Sequence, residues 1–159
     1  MSHDEEKRWE WEFVEPGPTG EPFESRVTPQ SIGAYARRVR NPNPLYEAPV
    51  AGSPAMPTAI FDIAPLRRSS VAAASGYVAL EWVRDHPRQT PFAKCTVRWF
   101  APILAGDVII SCARVLEKYE RRGNKFVTFR VEATNQDGVR IAEYDYTCIF
   151  EYAKGQNAH

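Results

Sequence analysis

Between Arg40 and Thr58 the chain reads RNPNPLYEAPVAGSPAMPT, nineteen residues that hold Pro42, Pro44, Pro49, Pro54, Pro57 and Gly52. Proline lacks a backbone donor and fixes φ, so neither a long helix nor a paired strand runs through such a stretch. It is a stiff loop, and what lies on either side of it must be built separately. Upstream, Thr28-Pro29 sets an N-cap hydroxyl before a proline at the first helical position, and Ile32, Tyr35, Ala36 and Val39 follow at helical spacing. That predicts a helix from Pro29 that stops by Asn41, because Pro42 comes next. Downstream, Thr58 to Leu66 is apolar at most positions and predicts a buried helix, bent or broken at Pro65. A long aromatic-bearing loop that feeds a helix N-terminus is a natural place for a binding site.

The rest of the chain alternates. Trp9, Trp11 and Phe13 against Glu10 and Glu12 predict a short strand, and Glu21 to Val27 a second one. Ser69 to His86 is alanine-rich and reads as helix, although Tyr77 to Val83 also suits a strand. From Ala93 onward the period is two: Ala93 to Trp99, about Asp107 to Tyr119, Val127 to Ala133, and Tyr144 to Tyr152, with turns at Arg121-Arg122-Gly123-Asn124 and Asp137-Gly138. The expectation is an α+β fold, a single domain over residues 1–159 whose ends, about 1–8 and 153–159, are frayed. A meander of half-buried antiparallel strands needs a cover, and the apolar helix beginning at Thr58 is the one to supply it.

Charge and cysteine content exclude several classes. Twenty basic and twenty acidic residues give a formal charge of zero, without a long run of one sign, so neither nucleic acid nor a membrane surface is the expected partner. Cys95, Cys112 and Cys148 form no C-x-x-C pair and have no histidine at ligand spacing, so they read as buried thiols and no metal or cofactor is expected. The charged start MSHDEEKR is not a signal peptide, and the expected location is cytoplasmic.

The phrase Val97-Arg98-Trp99-Phe100-Ala101-Pro102-Ile103-Leu104-Ala105-Gly106-Asp107 joins two of the predicted strands. It resembles the "FxxPvxxGD" bend of the MaoC-like hydratases and dehydratases, and the chain from about residue 8 to 152 is similar to their FAS1-like dehydratase domains. The resemblance implies a hot-dog fold, an antiparallel sheet wrapped around a central helix. It also implies an acyl thioester, carried by CoA or by acyl-carrier protein, as ligand. In that branch the loop after the first helix carries Asp-x-Asn-Pro-x-His, whose Asp and His act on water and substrate. Here the Asn-Pro pair survives as Asn43-Pro44, while Asn41 stands in the acid's place and Tyr46 in the histidine's. An amide is no base, and a phenol with a reference pKa near about 10 is a poor one. Some members of this family are similar in lacking the pair and rely on a second hot-dog domain that has it.

The resemblance thus implies a non-catalytic or substrate-binding subunit of an (R)-specific enoyl hydratase or 3-hydroxyacyl dehydratase, in a homodimer or in a heterodimer with a catalytic MaoC-like subunit. Met56, Pro57 and Thr58 occupy the family's turn into the central helix, where backbone N–H groups would hold the thioester carbonyl, with Ile60 and Phe61 near the acyl chain. Blander readings stand beside these. Asn43-Pro44 is also an ordinary turn, Tyr46 a packing residue, and His86 a solvated loop residue. Asp62 is either the acid of an acyl-CoA thioesterase or a partner of Arg67 or Arg68. A plain acyl-thioester binding module is the remaining alternative.

Overall fold

A computed structural model describes residues 6–156. Five strands, β1 (Phe23–Arg26), β2 (Phe92–Trp99), β3 (Val108–Arg121), β4 (Asn124–Thr134) and β5 (Arg140–Glu151), form one antiparallel sheet in the order β1-β3-β4-β5-β2. Three helices, α1 (Pro29–Arg38), α2 (Ile60–Ile63) and α3 (Arg68–Ala74), complete the α+β architecture. The fold is the hot-dog fold. Alternation decides the sheet: Val127, Phe129, Val131 and Ala133 from β4 and Ala142, Tyr144, Cys148 and Phe150 from β5 are all buried. Arg122 and Gly123, at φ 52° and 79°, form the two-residue turn between β3 and β4, whose twist matches that of the strands.

α1 forms as its signals predict. Thr28 and Ser31 make a reciprocal capping box with Pro29 at the start, and Ile32, Gly33 and Ala36 form the buried face. Its end is equally definite: Arg40 takes φ 58°, the N–H of Asn41 donates to the Ala36 carbonyl at 2.8 Å and that of Arg40 to Arg37 at 3.1 Å. This pair of bonds, a Schellman arrangement, turns the chain sharply and delivers Asn41 to the head of the proline-rich loop.

Three predicted elements differ. The strand expected at Trp9–Phe13 is a 3-10 turn at Trp11–Phe13, with a single bridge between Arg8 and Val78. Its three rings go to three places, which no strand allows. Trp9 is buried with its ring 5.9 Å from those of Phe129 and Phe150, Trp11 donates to the Phe126 carbonyl at 3.0 Å, and Phe13 stacks on Tyr77. The central helix is shorter than Thr58–Leu66: a 3-10 turn at Pro57–Ala59 runs into α2, which ends at Ala64 (φ −127°, ψ 68°) because Pro65 bars the α conformation before it. The helix expected over Ser69–His86 is α3 alone. Gly76 at φ 85° stops it, with Tyr77 N–H donating to the Ala72 carbonyl at 2.9 Å and Gly76 N–H to Ala73 at 3.0 Å. Of the ends expected to be frayed, residues 1–5 and 157–159 lie outside the described residues, whereas Lys7 and Arg8 are tied down: the Val78 N–H donates to the Lys7 carbonyl at 2.8 Å, and Arg8 bridges to Val78. No helix among those described is long and apolar enough to cross a membrane.

Candidate functional site

The proline-rich loop folds back on itself before it reaches the sheet. The carboxamide oxygen of Asn41 accepts the Asn43 N–H, and that of Asn43 accepts the Leu45 N–H, each at 3.0 Å, and a 3-10 turn follows at Pro44–Tyr46. These are two successive Asx turns, the use of asparagine that short polar side chains favour. The second half of the loop is then sewn to the segment between β2 and β3. Ala55 N–H donates to the Ile103 carbonyl at 2.8 Å, Gly52 N–H to Ala105 at 3.0 Å, and Ala105 N–H to Ser53 at 2.8 Å. Asp107 supports this seam by accepting the Leu104 N–H at 2.9 Å, and Gly106 donates to the Val27 carbonyl at 2.7 Å. The strand-bend phrase is therefore the anchor of the loop.

Between α1 and the α2 turn lies a cavity of about 240 Å³. Ile32, Met56 and Ile63 give it an apolar wall, and Tyr35, Arg38 and Asp62 a polar rim. Two ties cross the rim. The Tyr35 and Thr58 hydroxyls are hydrogen-bonded at 3.0 Å, and Arg38, whose guanidinium lies 5.2 Å from the Tyr35 ring, pairs with the Asp62 carboxylate. Asp62 thus meets Arg38 from α1. The expected partners are engaged elsewhere: Arg67 lies over the Phe23 ring, and Arg68 bonds Glu81 and the Cys148 thiol.

The residues expected at the site are divided by the fold. Met56 lines the cavity, Asn41 reaches it by donating to the Met56 sulfur at 3.4 Å, and Thr58 closes its rim through Tyr35. Asn43 and Pro44 build the turn, and Tyr46 packs half-buried against the core. Ile60 and Phe61 do not line this cavity: Ile60 is buried in the core, and Phe61 lies edge-on to Tyr144 at 5.0 Å. Pro57 presents its carbonyl to the Trp99 indole N–H at 3.1 Å. The N–H groups of Ala59 and Ile60, just past the Met56–Thr58 turn, are bonded within the 3-10 turn itself.

Tyr35, Arg38 and Ile63 were not among the residues expected at the site. The first two sit one turn apart on α1, a spacing that puts them on one face, so the signal was there; the facing α2 wall was not visible. Behind α2, Tyr144 Oη donates to the Ala64 carbonyl at 2.6 Å, and burial pushes its phenol above the ordinary range, so it remains a donor. Cys148 is buried, and burial outweighs the adjacent Arg68 in raising its thiol; Cys95 and Cys112 are half-buried. His86 is an exposed loop residue at φ 50°. Among the described residues no cluster of His, Cys, Asp or Glu is arranged to hold a metal ion.

A family model described as "FAS1-like, dehydratase domain region" matches residues 16–144. No curated protein matches the sequence. Among solved structures, the chain is similar to a monoamine oxidase regulatory protein from Archaeoglobus, at 20% identity over 90% of this chain and 94% of that one, with a TM-score of 0.67. It is also similar to the ChsH1–ChsH2 complex of Mycobacterium tuberculosis, at 14% identity, 87% and 91% coverage and a TM-score of 0.62. A third likeness is to the HadBC (3R)-hydroxyacyl-ACP dehydratase complex of the same organism, at 20% identity, 86% and 96% coverage and a TM-score of 0.55.

Proposed function

Because the chain belongs to the FAS1-like dehydratase domain family and has its hot-dog fold, we propose that it is the acyl-thioester-binding, non-catalytic subunit of a cytoplasmic (R)-specific enoyl hydratase or 3-hydroxyacyl dehydratase. A dehydratase-like role follows from the family; the division of labour is our reading. The observation that carries it is the Asn41–Tyr46 loop. Abstracting a proton from water needs a base whose pKa lies near the working pH. Asn41 has none, and both ends of its carboxamide are already used, one on Asn43 N–H and one on Met56. Tyr46 offers a phenol. The loop therefore shapes a site without supplying its chemistry.

The cavity beside that loop suits the acyl end of a thioester. At about 240 Å³ it is smaller than the roughly 300–1,000 Å³ of sites that enclose drug-sized ligands, so the bulk of CoA or of a carrier protein stays outside. The partner reading is supported by β2, an edge strand whose Trp99 is 47% exposed and bonded to the Pro57 carbonyl. A second hot-dog subunit docked there would lie next to the α2 turn, where its own acid and base would meet the substrate. The alternative of a thioesterase working through Asp62 has less support, since that carboxylate is taken up by Arg38 at the cavity rim.

Calorimetric titration of acyl-CoA against free CoA tests the binding claim. Ile63→Trp or Ala34→Trp, which place an indole on the cavity wall, are expected to weaken acyl-CoA binding about tenfold or more while leaving free CoA unchanged, a loss of about 1.4 kcal/mol. Equal affinity of both variants and the parent for every acyl-CoA would place the ligand elsewhere.

A further inference from the structure

Tyr35 on α1 and Thr58 in the turn before α2 meet across the mouth of the cavity, their hydroxyls hydrogen-bonded at 3.0 Å. Each hydroxyl carries one proton, and the bond between them uses only one of the two. Whichever group donates, the other keeps a proton for a third partner, and a hydroxyl that already accepts a bond is the stronger donor. Thr58 is exposed and Tyr35 half-buried, so that proton is open to a ligand. The Arg38 guanidinium, 5.2 Å from the Tyr35 ring and itself paired with Asp62, holds the phenol in place.

The other polar groups of the cavity are committed or distant. The Ser31 hydroxyl is bound into its capping box with Thr28, and Arg38 is taken up by Asp62. Ser25 and Arg26 line the cavity from β1, at the opposite edge of the sheet from β2. Backbone donors in the turn are few, because Pro57 has no N–H and those of Ala59 and Ile60 close the turn itself. Thr58 directly follows the residue whose carbonyl accepts the Trp99 indole N–H at 3.1 Å, so it stands beside the end of β2.

An acyl group that enters between Ile32, Met56 and Ile63 brings one strong acceptor to the mouth, the carbonyl next to sulfur. Resting on the reading of this cavity as the acyl site, we infer that the Tyr35–Thr58 hydroxyl pair is the anchor of that carbonyl. Thr58 donates to its oxygen, and Tyr35, by donating to Thr58, is the positioning residue. The ligand class that the pair selects is a thioester, as distinct from a thioether or a free thiol of the same carrier.

Calorimetric titration with hexanoyl-CoA and with S-hexyl-CoA, a thioether of equal chain length that lacks the carbonyl, tests the anchor. Thr58→Val keeps the backbone N–H and the shape of the side chain and removes only the hydroxyl. It is expected to weaken hexanoyl-CoA about three- to tenfold and to leave S-hexyl-CoA unchanged, which also shows that the fold is kept. Thr58→Ser retains the hydroxyl and is expected to bind both as the parent does, while Tyr35→Phe shows a smaller loss confined to the thioester. A Thr58→Val loss that is absent, or equal for the two ligands, overturns the inference. Ile63→Trp reads the cavity separately. If it weakens both ligands while Thr58→Val spares both, the acyl site stands and the anchor falls; if it changes neither, both fall.

Discussion

At Ala64 the backbone leaves the helix, because Pro65 follows, and its carbonyl is left without an intrahelical donor. The Tyr144 hydroxyl, reaching from β5, takes that place at 2.6 Å in the buried core. Tyr144→Phe removes the donor and leaves the carbonyl dry, so it is expected to lower stability by about 1–3 kcal/mol, read from the urea midpoint at unchanged slope. Single residues were legible in the sequence where their role is local. Thr28, Pro29 and the two asparagines of the loop act on their own neighbours, and propensity finds them. Arg38 and Asp62, 24 positions apart, and Tyr144 and Ala64, 80 apart, meet only through the fold. That distance is why Asp62 was matched with the nearby Arg67 and Arg68 instead.

The elements owe their lengths to a few backbone positions. Gly20 lies where the lead-in to β1 crosses α3, with its N–H on the Ala113 carbonyl at 2.9 Å; a Cβ there would meet Ser70 Oγ at 2.9 Å and Val71 N at 3.1 Å. Gly20→Ala is therefore expected to push the two apart and to disturb the bond from Glu21 N–H to Ser70 Oγ. Overpacking of this kind costs about 1–3 kcal/mol, or about 2–4 °C of melting temperature per kcal/mol in a chain of this size, which differential scanning calorimetry reads. The strands were legible because one face of each is buried and period two follows. Helices between Thr58 and His86 were overestimated. Apolar and alanine-rich composition there reports burial, and burial is met by short turns that Pro65 and Gly76 interrupt. The alternation at Trp9–Phe13 misled for a related reason: three aromatic residues anchored in three places mimic a strand.

At the scale of the molecule, the seam between the proline-rich loop and the 103–107 segment holds the candidate site together, and it joins the two stretches that stood out in the sequence. The site's position near Met56 and Thr58 was legible from that loop. The cavity itself was not, because it is a space between α1 and α2 whose walls no local pattern describes. The central claim is that this chain positions an acyl thioester and leaves the chemistry to a partner. Hydration of crotonyl-CoA by the purified chain alone measures it most directly. We expect no turnover above the uncatalysed rate; a rate on the order of 1 per second or more, ordinary for an enzyme, would contradict the account.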